Sequence, residues 1–216
     1  MNAAAKPAAS HPSAAAWAES FVPEAAGAAD ARAAAEGMGL TPVSPGVSAT
    51  LAFLARTTGA RAVVEIGTGT GVSGLALLSG MVPEGVLTSI DSEPEHQAAA
   101  RTVFAAAGHP ARRARLIAGP ALQVLPKLSD DAYDMVLVDG DELEYVEYVE
   151  QGLRLLRSGG LLVLHGALAG GRIADDSNED DEVVIIREAL AAVLESDELS
   201  PIVLPIGDGL LVALRS

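Results

Sequence analysis

Short apolar runs alternate with longer stretches of helical period through most of this chain. The runs at residues 62–66 (AVVEI), 86–91 (VLTSID), 114–118 (ARLIA), 134–139 (DMVLVD) and 161–165 (LLVLH) predict strands. Between them, residues 71–80, 94–107, 120–128 and 142–157 predict helices, and an acidic loop leads into a further helix over 182–196. The closing stretch PIVLPIGDGLLVALR predicts two strands joined through Gly207-Asp208-Gly209, a hairpin signal. The strands are apolar almost throughout, so both sheet faces should be covered, as in a mostly parallel α/β sheet. The hairpin adds one antiparallel strand. Upstream, alanine-rich segments predict helices over 14–20 and 23–37, a Gly/Pro loop fills 39–46, and an amphipathic helix follows over 47–58.

This pattern divides the chain in three. Residues 1–13, rich in Ala, Pro and Ser, read as a disordered tail. Residues 14–58 are helices without strands of their own, suited to capping a site or to contacting a second copy. Residues 59–216 form one α/β domain.

Composition narrows the functions. Half of the 216 residues are apolar, enough for a full core, and the net charge of -15 opposes binding to a phosphate backbone, so no nucleic-acid partner is expected. There is no cysteine, which removes disulfides, thiolate metal sites and cysteine nucleophiles. No run reaches the ~18–20 apolar residues of a membrane span. The opening MNAAAKPAASHPSAAAW lacks a continuous apolar core and contains prolines, so no signal peptide is expected. The expectation is a soluble cytoplasmic protein without a membrane partner.

The candidate chemistry begins in VVEIGTGTGVSG, a strand running through glycines into a helix. Without Cβ atoms the turn is tight and its backbone can approach a ligand. Gly69 to Gly74 satisfies the dinucleotide fingerprint G-x-G-x-x-G, but two features oppose a dinucleotide. Glu65, two residues before the loop, would face a pyrophosphate with like charge, whereas the sulfonium and ammonium of S-adenosylmethionine reverse the sign. The glycines also begin at the strand end, as Gly67-x-Gly69-x-Gly71, which is methyltransferase spacing. Asp91, ending the second strand, is placed to accept hydrogen bonds from ribose hydroxyls.

With these motifs and GVLTSIDSEPEHQAAAR, YDMVLVDGD, LLRSGGLLVLH and GDGLLVAL, the sequence resembles the class I S-adenosylmethionine-dependent O-methyltransferases related to the catechol and caffeoyl-CoA enzymes. The resemblance covers about residues 40–216. It implies a Rossmann-like seven-stranded sheet with a reversed last strand and helices on both faces, a small-molecule acceptor and a homodimer. It places Glu65 and Gly67 near the methionine part of the cofactor, with Thr68, Gly69 and Ser73 lining the same loop. Asp91 would hold the ribose, Pro120 and Ala121 would stand beside the adenine, and Val43 would cover the methionine end. Asp139, at the end of the fourth strand, lies close to cofactor and substrate.

The chain departs from this family at its metal module. Such enzymes hold a divalent cation with a carboxylate after strand four and an Asp-Asn pair after strand five, and carry a lysine three residues beyond the first carboxylate. Here the positions are Asp139, His165-Gly166 and Glu142. Mg²⁺ prefers oxygen ligands, His165 offers nitrogen and Gly166 offers no side chain, so no metal is expected. Asp139 and His165 then become the candidate catalytic residues. Two readings of His165 stay open: a general base of suitable intrinsic pKa, or a hydrogen-bonded plug in the vacated site. Tyr145 and Tyr148 read as packing, and His11, His96 and His109 as surface residues. The ADDSNEDDE stretch, residues 174–182, reads as a solvated loop feeding a helix N-terminus. The leading function is O-methyl transfer to a small hydroxylated acceptor. A non-catalytic S-adenosylmethionine-binding relic and an NAD-dependent oxidoreductase are the alternatives.

Overall fold

A computed structural model of the chain describes residues 13–216. The tail expected over 1–13 therefore lies outside the described residues, as does His11, except that Ser13 caps the first helix by accepting from the Ala16 amide. The helices are α1 (Ala14–Glu19), α2 (Ala28–Met38), α3 (Pro45–Thr57), α4 (Val72–Gly80), α5 (Pro94–Ala106), α6 (Ala121–Val124), α7 (Tyr145–Leu155) and α8 (Asp181–Glu195). The strands are β1 (Ala62–Ile66), β2 (Val86–Asp91), β3 (Ala114–Ala118), β4 (Tyr133–Val138), β5 (Leu156–His165), β6 (Leu199–Leu204) and β7 (Leu210–Arg215). They form one seven-stranded sheet in the order β3-β2-β1-β4-β5-β7-β6, with β7 antiparallel to both its neighbours. This is the mostly parallel α/β sheet with one reversed strand that the sequence pattern predicts.

Alternation along each strand sends side chains to two cores. Val64, Ile66, Val136, Val138, Leu162 and Leu164 pack under α6, α7 and α8. Val63, Leu87, Met135, Leu137, Leu161 and Val163 pack against α2, α3, α4 and α5. The N-terminal helices α2 and α3 are part of this second layer, through Ala28, Ala31, Val47, Leu51 and Ala55. The contact between α3 and α4 is close because Gly80 has no side chain: a Cβ there would stand 2.1 Å from the Ala52 carbonyl oxygen.

Some boundaries differ from the sequence reading. The helix expected from Pro23 begins at Ala28, because Gly27 sits in the left-handed region (φ 87°) and turns the chain. The helix expected to reach 157 ends at Leu155, and β5 starts at once. Leu156 pairs with Tyr133, and the register shifts before Met135 pairs with Leu161. The loop expected to reach Gly46 is shorter, since Ser44 caps α3 and Pro45 occupies its first turn.

Candidate functional site

The parallel strands β1, β2, β4 and β5 end along one edge of the sheet, where an open α/β fold leaves a crevice. The pleat aligns the candidate residues there. Counting alternate positions from Val63, Leu87, Leu137 and Val163 reaches Glu65, Asp91, Asp139 and His165, all directed to the α2–α5 side of the sheet. Register completes the arrangement: Val138 pairs with Leu164, so Asp139 and His165 are the next adjacent pair.

A cleft of about 360 Å³ opens at this edge. Of the residues expected to bind cofactor, Val43, Gly67, Thr68, Gly69, Ser73, Asp91, Pro120, Ala121 and Asp139 line it. Glu65 does not: it lies behind the loop, fully buried. Gly67 (φ 92°) is pressed on β4, where a Cβ would stand 2.0 Å from the Asp139 carbonyl oxygen. At Gly69 (φ 47°) a Cβ would meet no protein atom within 4 Å, so the glycine there serves backbone conformation and leaves room in the cleft. The loop is tied down by Thr70 Oγ1, which donates to the Ala31 carbonyl on α2 at 2.8 Å. Val43 is held by Arg32, which donates to its carbonyl at 2.8 Å while also gripping Glu24.

Glu65 stands in a polar chain beneath the loop. Ser89 Oγ donates to Glu65 Oε2 at 2.5 Å and lies 2.7 Å from Thr68 Oγ1. Gln97 Nε2 braces the chain by donating to the Ile117 carbonyl at 2.7 Å. The second oxygen, Glu65 Oε1, has no hydrogen-bond partner in the protein. Burial raises the carboxyl strongly; the Ser89 hydrogen bond and the nearby Ser73 hydroxyl pull the other way, and the Asp139 and Asp91 charges raise it further, so that it is pushed up to about 8. A cation bound in the cleft would favour the ionised form of this buried carboxyl and offset part of the cost of burying its unpartnered oxygen.

Asp91 is clamped from three sides. Its Oδ2 accepts from the Gly69 amide at 2.9 Å, and its Oδ1 accepts from the Glu93 amide at 2.8 Å. The third partner is His96, whose Nδ1 lies 3.1 Å from Oδ1. This corrects the surface reading of His96, which lines the cleft with its side chain only 20% exposed. Tyr148 also lines the cleft and donates to Glu144, whereas Tyr145 is buried and donates to the His165 carbonyl at 3.1 Å.

His165 flanks the cleft rather than lining it. Its Nδ1 lies 2.7 Å from Asp139 Oδ1, and its side chain is 17% exposed. A nitrogen facing a carboxylate oxygen at that distance carries the proton, so Nε2 keeps a free lone pair. Burial disfavours the imidazolium, but the Asp139 hydrogen bond and the charges of Asp139, Asp208 and Glu142 outweigh it and hold the His165 pKa above 6.5. Glu142 Oε1 and the Tyr145 hydroxyl converge just beyond, each 3.7 Å from where a Cβ of Gly166 would stand. Burial and the nearby Glu182, Asp208 and Asp141 charges raise the Glu142 pKa, with Arg172 opposing.

These donors do not fit a magnesium ion. Asp139 and His165 are joined directly by a hydrogen bond, and Gly166 brings no ligand. Among the described residues, no group of three His, Asp or Glu side chains is arranged to hold a metal.

The family model described as O-methyltransferase matches residues 31–216. The chain belongs to the O-methyltransferase family. It is thus one of the class I S-adenosylmethionine-dependent enzymes, which sets the NAD-dependent oxidoreductase aside. A Mycolicibacterium smegmatis protein named as an O-methyltransferase is 50% identical over 198 residues, covering 92% of this chain and 94% of that protein. A solved Corynebacterium glutamicum protein superposes with a TM-score of 0.86 at 32% identity, over 93% of this methyltransferase and 94% of its own chain. The O-methyltransferase TomG from Streptomyces achromogenes, solved with S-adenosylmethionine, gives 0.85 at 28% identity, over 93% and 94%. No helix among the described residues of this methyltransferase is long and apolar enough to cross a membrane.

Proposed function

We propose that this enzyme methylates a small hydroxylated acceptor without a divalent metal, with His165 as the general base and Asp139 as the group that orients it. The observation that carries the reading is the 2.7 Å contact between His165 Nδ1 and Asp139 Oδ1, at the positions where the resemblance implies metal ligands. When bound, S-adenosylmethionine supplies an activated methyl group. The chain's own residues do the rest. His165 Nε2 takes the proton of the acceptor hydroxyl, and Asp139 fixes the ring and stabilises the imidazolium that results. Alignment of the two reactants contributes as much as base strength. The pH profile of methyl transfer in wild type and His165→Ala tests this assignment.

The same reading gives the cofactor to the cleft. Gly67, Thr68, Gly69 and Ser73 would follow its methionine end under Val43, Asp91 would take ribose, and Pro120 and Ala121 would stand beside adenine. Glu65 would act from behind the loop, by charge. TomG, bound to S-adenosylmethionine in the same fold, supports this. Asp91→Ala should weaken S-adenosylhomocysteine binding by about 1.5–3 kcal/mol, the typical worth of a hydrogen bond to a charged group. Calorimetric titration checks it, and equal affinity for wild type and variant would remove Asp91 from the ribose site.

We also propose a homodimer. Trp17 and Phe21 pair in a tilted arrangement with ring centroids 4.9 Å apart on the outside of the molecule, 57% and 65% exposed, and Phe53 on α3 is 65% exposed. Aromatic area of this kind outside the core is suited to a partner surface. Light scattering should report twice the chain mass, and the chain mass at high micromolar concentration would count against a dimer.

A further inference from the structure

We propose that His96 is a second ribose-reading residue, taking one hydroxyl of the cofactor's vicinal diol while Asp91 takes the other. The inference rests on the cofactor reading of the cleft given above.

It follows from counting acceptors. A carboxylate offers about four lone-pair sites. On Asp91 three are filled by the protein itself: Gly69 N–H on Oδ2, and Glu93 N–H and His96 Nδ1 on Oδ1. One site remains, on Oδ2. A ribose presents two neighbouring hydroxyl donors, so Asp91 as held here serves one of them.

The second acceptor is already beside it. His96 lines the same cleft and is fixed by its contact with Asp91. Because Nδ1 faces a carboxylate oxygen, Nδ1 carries the hydrogen and Nε2 carries the lone pair. His96 itself sits in the first turn of α5. One side chain therefore performs two tasks on opposite nitrogens: Nδ1–H occupies Asp91, and Nε2 accepts from the ligand. Ser92 lines the cleft as well and is the competing acceptor.

The two nitrogens can be separated by substitution. Asn places its amide near the position of Nδ1, and Gln reaches that of Nε2. Calorimetry with S-adenosylhomocysteine and with its 2′-deoxy and 3′-deoxy analogues is run on the full-length wild type and on His96→Asn, His96→Gln, His96→Phe and Ser92→Ala. Wild type should disfavour the analogue lacking the hydroxyl that Asp91 takes by about ten- to a hundredfold, the worth of a hydrogen bond to a charged group, and the other analogue by about three- to tenfold, the worth of a neutral one. His96→Phe and His96→Asn should bind S-adenosylhomocysteine about three- to tenfold more weakly and lose discrimination against one analogue alone. His96→Gln should keep it. Three results overturn the inference: unchanged discrimination in both the Phe and Asn variants, equal weakening toward all three ligands, or loss of discrimination in Ser92→Ala instead. Equal weakening would make His96 a prop for Asp91 only. A wild type that binds none of the three would defeat the cofactor reading itself, a result that differs from all of these.

Discussion

His165→Ala should lower methyl transfer by about 10²–10⁴-fold while leaving S-adenosylhomocysteine affinity nearly unchanged. The split follows from position. His165 flanks the cleft without lining it, so removing its ring takes away proton acceptance and spares the cofactor wall. The pH dependence carries the same information. The base works only when Nε2 is unprotonated, so turnover is lost as pH falls through the pKa of His165. Asp139, Asp208 and Glu142 hold that pKa above 6.5, so the acid limb should lie above the ordinary histidine range. Asp139→Asn removes the strongest of these partners and should shift the limb to lower pH while also slowing the reaction. An alanine variant with full turnover would leave His165 as a structural plug.

Glu65→Gln should remove a pH dependence of folding that is expected of the wild type. The folded carboxyl titrates at about 8 against an unfolded value of 4.5, so between these values the native state holds more protons than the unfolded chain. Stability therefore falls as pH rises from about 5 to 8, by up to ~1.4 kcal/mol per pH unit and on the order of 4–5 kcal/mol in all. Gln at this buried site has no proton to lose and should show no such slope. Its unchanged size keeps the packing, although the amide brings a second donor into a polar chain built for a carboxyl. The same logic couples the site to its ligand: a cation in the cleft favours the ionised Glu65, so binding of S-adenosylmethionine should release a proton near neutral pH. Denaturant titrations of both proteins across this range, without ligand, provide the check. A wild type whose stability is flat between pH 5 and 8 would show that Glu65 is ionised in the fold.

Much of this architecture is legible in the chain because strands buried on both faces leave nearly unbroken apolar runs. Those runs locate β1 to β4 and the end of β5 to within a residue, and the acids and the histidine at their ends mark the candidate site. The adjacency of Asp139 and His165 follows from the same feature, since parallel strands ending together bring their terminal side chains together. The start of β5 was hidden because Arg157-Ser158-Gly159-Gly160 has turn composition, and its pairing with β4 depends on a register shift that local sequence does not encode. The place of His96 on the cleft wall was hidden for a different reason. Its place on the cleft wall is set by a hydrogen bond to Asp91, made where the chain turns from β2 into α5, and in a polar helix start it looks like any exposed residue. Glu65 was legible as a charge at a strand end, but its complete burial behind the loop depends on Ser89 from the neighbouring strand.

In the proposed mechanism the Asp139–His165 pair replaces the metal centre that the resemblance implies. It is tested most directly by following methyl incorporation from labelled S-adenosylmethionine into a panel of small phenols and catechols, in parallel with excess chelator and with added Mg²⁺. Equal rates in the two conditions, lost together in His165→Ala, are the predicted result. Turnover abolished by the chelator and restored by Mg²⁺ would contradict it.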